Sequence, residues 1–250
     1  MVRMRRPGMI VGYLMLLAAL PLLGAGDQPT GAPQAGTGVI RQLSTAPPGA
    51  VILFDGKDLS QWRRTDGQPA TWKIENGAMV AQGGNVVSTE TFQDIFLHLE
   101  FKTPHMPQAT GQGRGNSGVY LQARYEVQVL DSYGIAIPGK GDCGAIYGQY
   151  APLVNACRPP LYWQSYDIVF RTPRFDSAGK ELEPARMTVL QNGVVIQNNA
   201  QLLGATVGRQ PGGLAGPGPL LLQDHGNPVQ YRNIWLVHLP PQGSDTYGPR

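Results

Sequence analysis

The stretch "GNSGVYLQARYEVQVLDSYG" (115–134) decides how the chain is read. It divides into a strand, a short break and a second strand. Successive side chains of a strand point to opposite faces. In the first strand Val119 and Leu121 oppose Tyr120 and Gln122. In the second, Val127 and Val129 make an inward face, while Glu126, Gln128 and Leu130 share the other. Asp131 lies five residues beyond Glu126, so a regular strand turns it inward. A β-bulge near Val129–Leu130 would return it to the side of Glu126 and Gln128. The other reading makes Asp131 the start of the turn "DSYG", a position Asp favours through its side-chain hydrogen bonding.

The same period of two recurs along the chain. In "DIFLHLEFK" (94–102) Ile95, Leu97, Leu99 and Phe101 face one way and Phe96, His98 and Glu100 the other. In "MTVLQNGVVIQN" (187–198) Asn192-Gly193 is a two-residue hairpin signal. "VQYRNIWLVHL" (229–239) closes the series, with Arg232 expected beside Gln230 and Ile234, and Tyr231, Asn233 and Trp235 opposite. Long helical periodicity and internal repeats are absent, and Gly (33) and Pro (22) punctuate the chain. Short alternating strands without βαβ alternation predict an all-β fold, an antiparallel β-sandwich of the jelly-roll kind. One curved sheet of such a fold offers a concave face to a ligand.

Residues 1–26 read as a signal peptide: a basic start with Arg3, Arg5 and Arg6, an apolar run, and "GAG" as a small-residue cleavage site. The run is too short for a spanning helix, and no Cys near the cleavage site suits a lipid anchor. Residues 27–48 read as a flexible linker, 49–240 as the jelly-roll domain and 241–250 as a C-terminal tail. The expected location is periplasmic or secreted. The chain carries 20 basic and 17 acidic residues, and removing the three signal arginines leaves equal numbers. No basic field remains for nucleic acid or for a membrane after signal cleavage. Cys143 and Cys157 are the two cysteines, candidates for one disulfide closing a small loop in an exported chain.

Candidate site residues cluster around the opening stretch. Glu126, Gln128 and Asp131 echo, as E-x-Q-x-x-D, the E-x-D-x-x-E strand of retaining laminarinase-like glycosidases, but Gln128 replaces the middle carboxylate. Retaining hydrolysis needs two carboxyls about 5–5.5 Å apart, and Glu126 and Asp131 approach that only with the bulge. Asn116 and Tyr120 offer an amide and a phenol to sugar hydroxyls. His98 and Glu100 share a face and could contribute to a divalent-cation site, although two ligands alone are a weak signal. No resident cofactor is expected. Trp62, Trp72 and Trp163 are core residues or sugar platforms.

Seven blocks occur in order: "VILFDGKDLSQW" (51–62), "TWKIENGAMVAQGG" (71–84), "FLHLEFKTP" (96–104), "GNSGVYLQ" (115–122), "YEVQVLD" (125–131), "GAIYG" (144–148) and "LQDHGNPVQYRNIWL" (222–236). Together the sequence resembles the 3-keto-disaccharide hydrolase domain family. The resemblance implies a concanavalin-like jelly roll, usually exported, that acts on 3-keto-glycosides. The family's Trp-Asn stands here as Trp163-Gln164, with Trp163 a candidate sugar contact.

The implied chemistry is C2 proton abstraction beside a C3 ketone, loss of the C1 substituent, then hydration or release of the glycal. It needs a base, enolate-stabilising donors and an acid near the leaving oxygen. Glu126 and His225 are the candidate base and acid, in either order. Arg232 is the candidate clamp for Glu126 or a keto oxygen, and Asp131 is the remaining catalytic candidate. A small carbohydrate is the expected partner, and a sugar 3-dehydrogenase must act upstream. The alternatives are a carbohydrate-binding jelly roll without catalysis and an ordinary glycoside hydrolase.

Overall fold

The structure, a computed structural model, describes residues 45–241. The expected signal peptide, most of the linker and most of the tail lie outside the described residues.

Antiparallel strands build a jelly-roll sandwich of two main sheets. The larger runs β13 (Val194–Gln201), β12 (Arg186–Gln191), β9 (Gln164–Arg171), β6 (Ile95–Lys102), β15 (Gln230–His238), β4 (Ala78–Val80) and β3 (Lys73–Glu75). In the same sheet β1 (Val51–Phe54) also pairs with β15. The smaller runs β2 (Trp62–Arg64), β5 (Val86–Phe92), β14 (Gly218–Leu222), β7 (Ser117–Leu121) and β8 (Tyr125–Val129). A separate ribbon pairs β10 (Arg174–Phe175) with β11 (Glu181–Glu183). Among the described residues no helix is long and apolar enough to cross a membrane.

The inner faces follow the alternation. Ile95, Leu97, Leu99 and Phe101 of β6 meet Val119, Leu121, Val127 and Val129 of β7 and β8 in one buried cluster. This apolar contact between sheets is the main stabilising term, at about 25 cal/mol per Å² removed from water. Trp62 and Trp72 belong to it. Each also donates its indole N–H to a backbone carbonyl, of Leu53 and Gly84 respectively, at 2.8 Å. Tyr231 of β15 reaches across the sandwich, its hydroxyl 2.7 Å from Ser117 Oγ. The Asn192-Gly193 hairpin forms between β12 and β13, with φ of 53° and 81°.

Two departures from regular strands matter for function. The β7–β8 connection places Gln122 and Ala123 in the left-handed region, both at φ 54°. Neither residue favours it. Gln122 is held there by its amide: Nε2 donates to Phe92 O at 2.9 Å, and Oε1 accepts from Arg124 Nη1 at 2.9 Å and Thr172 Oγ1 at 3.1 Å. The second departure lies in β15, where the register shifts between Arg232 and Trp235. Asn233 takes φ 48° at this bulge, a conformation Asn tolerates better than most residues. The expected alternation therefore breaks: Tyr231 and Ile234 both enter the core, while Arg232 and Asn233 both contact Glu100 on the outer face.

Candidate functional site

Glu126 stands on the face of β8 turned away from the larger sheet, opposite Tyr120 in the register, with Gln128 opposite Gly118. It is 3 % exposed. Loops enclose it. Thr206 Oγ1 accepts from Glu126 N at 3.0 Å, and Val207 O accepts from Tyr120 Oη at 3.2 Å. The chain after β8 folds back alongside it, with Tyr147 N donating to Glu126 O and Gln128 N donating to Ala145 O. Burial is the main cause that pushes the Glu126 carboxyl up to about 7, against a smaller lowering by its hydrogen bond with Tyr120. Among the described residues, no other carboxyl and no cation is a cause of that shift. Burial also pushes the Tyr120 phenol far up, so it stays a donor.

The carboxyl fits because position 118 has no side chain. A Cβ there would stand 2.3 Å from Glu126 Oε1 and 2.8 Å from Tyr120 Cε2. Gly118→Ala is expected to displace the carboxyl with the backbone kept. Stability should fall by about 1–3 kcal/mol in a thermal melt, and turnover by roughly 10²-fold, as for an ångström-scale misplacement. Unchanged turnover in a folded variant would separate Glu126 from the chemistry.

A row of amides continues the site. Asn116 is 2 % exposed and Gln128 1 %. Asn116 Nδ2 donates to Gln112 O at 2.6 Å and to Gln112 Oε1 at 3.1 Å. Gln112 Nε2 donates to Gly141 O at 2.7 Å. Gln112 lies in a short 3₁₀ turn, Gly111–Gly113, where no strand alternation or motif points to it.

The other expected residues go elsewhere. The β7–β8 pairing shows no register shift, and Leu130 packs in the core rather than beside Glu126. Asp131 starts the turn, accepting from Tyr133 N at 3.3 Å, and pairs with Arg114 Nε at 2.8 Å. Val129 and Leu130 both lie in the core, so the alternation breaks at this step, and the Asp131 carboxyl is taken up by Arg114 and the Tyr133 N–H, which gives it a structural role. Asp131→Asn should lower stability by about 1–3 kcal/mol and leave turnover within about threefold. A loss as large as at Glu126 would return Asp131 to the reaction.

Arg232 is on the outer face of the larger sheet, on the other side of the sandwich from Glu126. It pairs with Glu100 Oε2 at 2.7 Å and covers the Trp163 ring at 4.0 Å from its centroid. Lys102 Nζ also approaches that ring, at 4.8 Å. Arg232 therefore cannot clamp Glu126, and Trp163 is not part of the Glu126 site. The neighbouring Gln164 amide turns inward, with Oε1 accepting from Arg158 N and Gln191 Nε2, both at 3.0 Å.

His98 and Glu100 sit in the same outer network and are already bound. His98 Nδ1 meets Asp167 Oδ1 at 2.6 Å, and Asn233 Nδ2 lies 3.3 Å from His98 Nε2 and 3.1 Å from Glu100 Oε1. No group of three or more metal-type ligands occurs among the described residues.

His225 is exposed, in a loop pinned to β7 at both ends. Gln223 N donates to Gly118 O at 3.0 Å, and Asn227 Oδ1 accepts from Asn116 N at 2.8 Å. The loop thus holds His225 at the Asn116 end of the site.

Cys143 and Cys157 are thiols, not a disulfide. The neighbouring Cys143 thiol and burial push Cys157 well up. Gln191 Nε2 lies 3.6 Å from Cys143 Sγ and 3.4 Å from Cys157 Sγ. Tyr166 Oη, 3.1 Å from Cys143 Sγ, donates to Gln128 O at 2.6 Å. The pair therefore backs β8 from the core side.

Comparison with known proteins agrees with this architecture. A family profile described as a 3-keto-alpha-glucoside-1,2-lyase-like domain matches residues 49–237. A crystal structure of a glycosyl hydrolase candidate from Parabacteroides distasonis ATCC 8503 is 40 % identical. The similarity covers 78 % of this chain and 86 % of that one, with a TM-score of 0.73. Two further glycosyl hydrolase candidates from the same organism share the fold. One is 21 % identical over 77 % of this chain and 94 % of the other, at a TM-score of 0.56. The second is 22 % identical over 76 % and 99 %, at 0.53. No curated protein matches the chain.

Proposed function

The chain belongs to the 3-keto-alpha-glucoside-1,2-lyase-like domain family, and on that premise we propose that it cleaves the C1–O bond of 3-keto-glycosides by elimination. The observation that carries this reading is a buried carboxyl, Glu126, pushed up to about 7 by burial, with no second carboxyl among the described residues acting on it. Ordinary glycoside hydrolysis uses a pair of carboxyls. Elimination beside a ketone needs only one base and one acid, because the C3 carbonyl holds the charge.

In this reading His225 takes the C2 proton. The C2–H electron pair forms the C1–C2 double bond through the C3 enolate, and the C1–O bond breaks. Glu126, in its acid form, gives its proton to the departing oxygen. Donors for the sugar hydroxyls and the enolate oxygen must come from groups other than the Asn116 amide and the Tyr120 hydroxyl, whose protons go to Gln112 and Val207. Water adding across the new double bond converts the lyase product into that of net hydrolysis. Each step conserves atoms and electrons without an external oxidant. A dehydrogenase acting at C3 must supply the substrate. The leader pattern over residues 1–26 supports placing the reaction outside the cytoplasm.

The test offers the purified protein a 3-keto-α-glucoside and its unoxidised parent. Release of the leaving group from the keto sugar alone supports the proposal. Release from the parent at an equal or higher rate points to ordinary hydrolysis. Binding of either sugar without turnover points to a carbohydrate-binding module.

A further inference from the structure

A cleft of about 600 Å³ opens near one edge of the larger sheet. Strand register sets its floor. Lys73 of β3 lies opposite Val80 of β4, Val80 opposite Gln230 of β15, and Gln230 opposite Lys102 of β6. Residues directly opposed across antiparallel strands share a face. Their strand neighbours Met79, Tyr231 and Phe101 enter the core, so the four form one row on the outer face. Within that row Val80 is buried, as is Ala81 beside it. The floor is therefore a small apolar patch with long polar side chains on both sides.

The rim supplies mixed donors and acceptors. Glu75 stands two residues beyond Lys73 on β3 and lines the same cleft. Asp224 is fixed in the facing loop, accepting from Gly84 N at 2.8 Å and Gly226 N at 2.9 Å. Among the described residues no ion pair takes up Lys73, Lys102 or Glu75. Thr103 also lines the cleft. It is 1 % exposed, and among the described residues its hydroxyl has no hydrogen-bond partner. A buried polar group in that state calls for a bound molecule to complete its bonding.

The charges cancel, with Lys73 and Lys102 against Glu75 and Asp224. That balance gives neither an anion nor a cation an advantage. A neutral ring with an apolar C–H face and hydroxyls around its edge matches the apolar floor and the polar rim.

We propose that this cleft is a second carbohydrate site, taking a neutral pyranose unit apart from the one at Glu126. The two sites share a loop. Asn227 lines the cleft, and its Oδ1 accepts from Asn116 N at 2.8 Å. Asn116 lies four residues before Tyr120, the residue opposite Glu126. At about 3.3 Å per residue that is roughly 13 Å of extended chain, beyond the reach of one disaccharide held at Glu126. The cleft thus holds a sugar unit of its own and makes the protein divalent for saccharide, whether or not Glu126 is catalytic.

The test follows the backbone amide resonances of Gln230 and Lys102 in the full protein as maltose, cellobiose and trehalose are added in turn. It needs no turnover, so it stands or falls apart from the proposed activity. At least one neutral disaccharide should give saturable shifts at both residues, and Glu126→Gln should keep them. Gln230→Leu, read at Lys102, should weaken this binding roughly tenfold, the scale of one or two lost hydrogen bonds. Lys73→Met, on the exposed edge strand, serves the same purpose should Gln230→Leu fail to fold. No saturable shift with any of the three sugars overturns the proposal. So does tighter binding of digalacturonate, which would make the cleft an anion site. Loss of the shifts in folded Glu126→Gln, or unchanged affinity in a folded cleft variant, overturns it as well.

Discussion

Glu126→Gln is expected to lower kcat/KM on a 3-keto-α-glucoside by about 10²–10⁴-fold, the range for loss of a positioned proton-transfer group. The amide keeps the shape and the contact with Tyr120 but cannot deliver a proton. Circular dichroism should show the fold intact, and binding of the keto sugar should change far less than turnover. In wild type the acid form does the work, so kcat/KM should fall as pH rises through about 7, where Glu126 ionises. That alkaline limb should be absent from whatever activity Glu126→Gln retains.

The same residue affects stability with a defined sign. Its folded value of about 7 stands above the ordinary 4.5, so the folded protein holds the proton more tightly than the unfolded chain. The contribution of Glu126 to stability is greatest below about pH 4.5 and is lost as pH rises through about 7. The loss is on the order of 3 kcal/mol at most. Glu126→Gln, which cannot ionise, should therefore be the more stable protein above pH 7, as measured in urea. A variant less stable than wild type there would contradict the buried-carboxyl account.

His98→Leu should have the largest effect on stability, about 3–5 kcal/mol. His98 and Asp167 face each other directly across β6 and β9 and are 2 % and 4 % exposed. Removing the imidazole leaves the Asp167 side chain without its hydrogen-bond partner in a site closed to water. It also removes the ring stacked on Trp235 at 5.0 Å. Replacing both partners, His98→Leu with Asp167→Leu, should recover much of the loss, because an apolar pair substitutes for a buried hydrogen-bonded polar pair at little net cost. The measurement is the denaturation midpoint of single and double variants. Turnover per folded molecule should stay near wild type, because this network lies on the other side of the sandwich from Glu126. A large fall in turnover with stability intact would move the active site to the His98 face.

Much of this was legible from residue types. The alternation in 95–101 and 119–129 set both core faces, and it put Glu126 and Gln128 together on the outer side. Asn192-Gly193 marked its own hairpin. The rest depended on contacts that no period of two encodes. Arg232 and Asn233 share a face only because β15 bulges, and the sole local hint was an Asn where a left-handed residue was needed. Asp131 was settled by Arg114, seventeen positions earlier, across a loop with no pattern. Gln112 reaches Gln128 from that same loop. Gly118 carries no signal of its own in the sequence, whereas its role is the space it leaves for a carboxyl on the next strand.

The central claim is that bond cleavage begins at C2 of a 3-keto sugar. The direct measurement is a single-turnover reaction of the wild-type protein with a 3-keto-α-glucoside carrying deuterium at C2, compared with the unlabelled sugar. The account predicts a primary isotope effect on leaving-group release and an unsaturated keto sugar as the first product. Equal rates for the two sugars, with water incorporated at C1 and no unsaturated product, would contradict it.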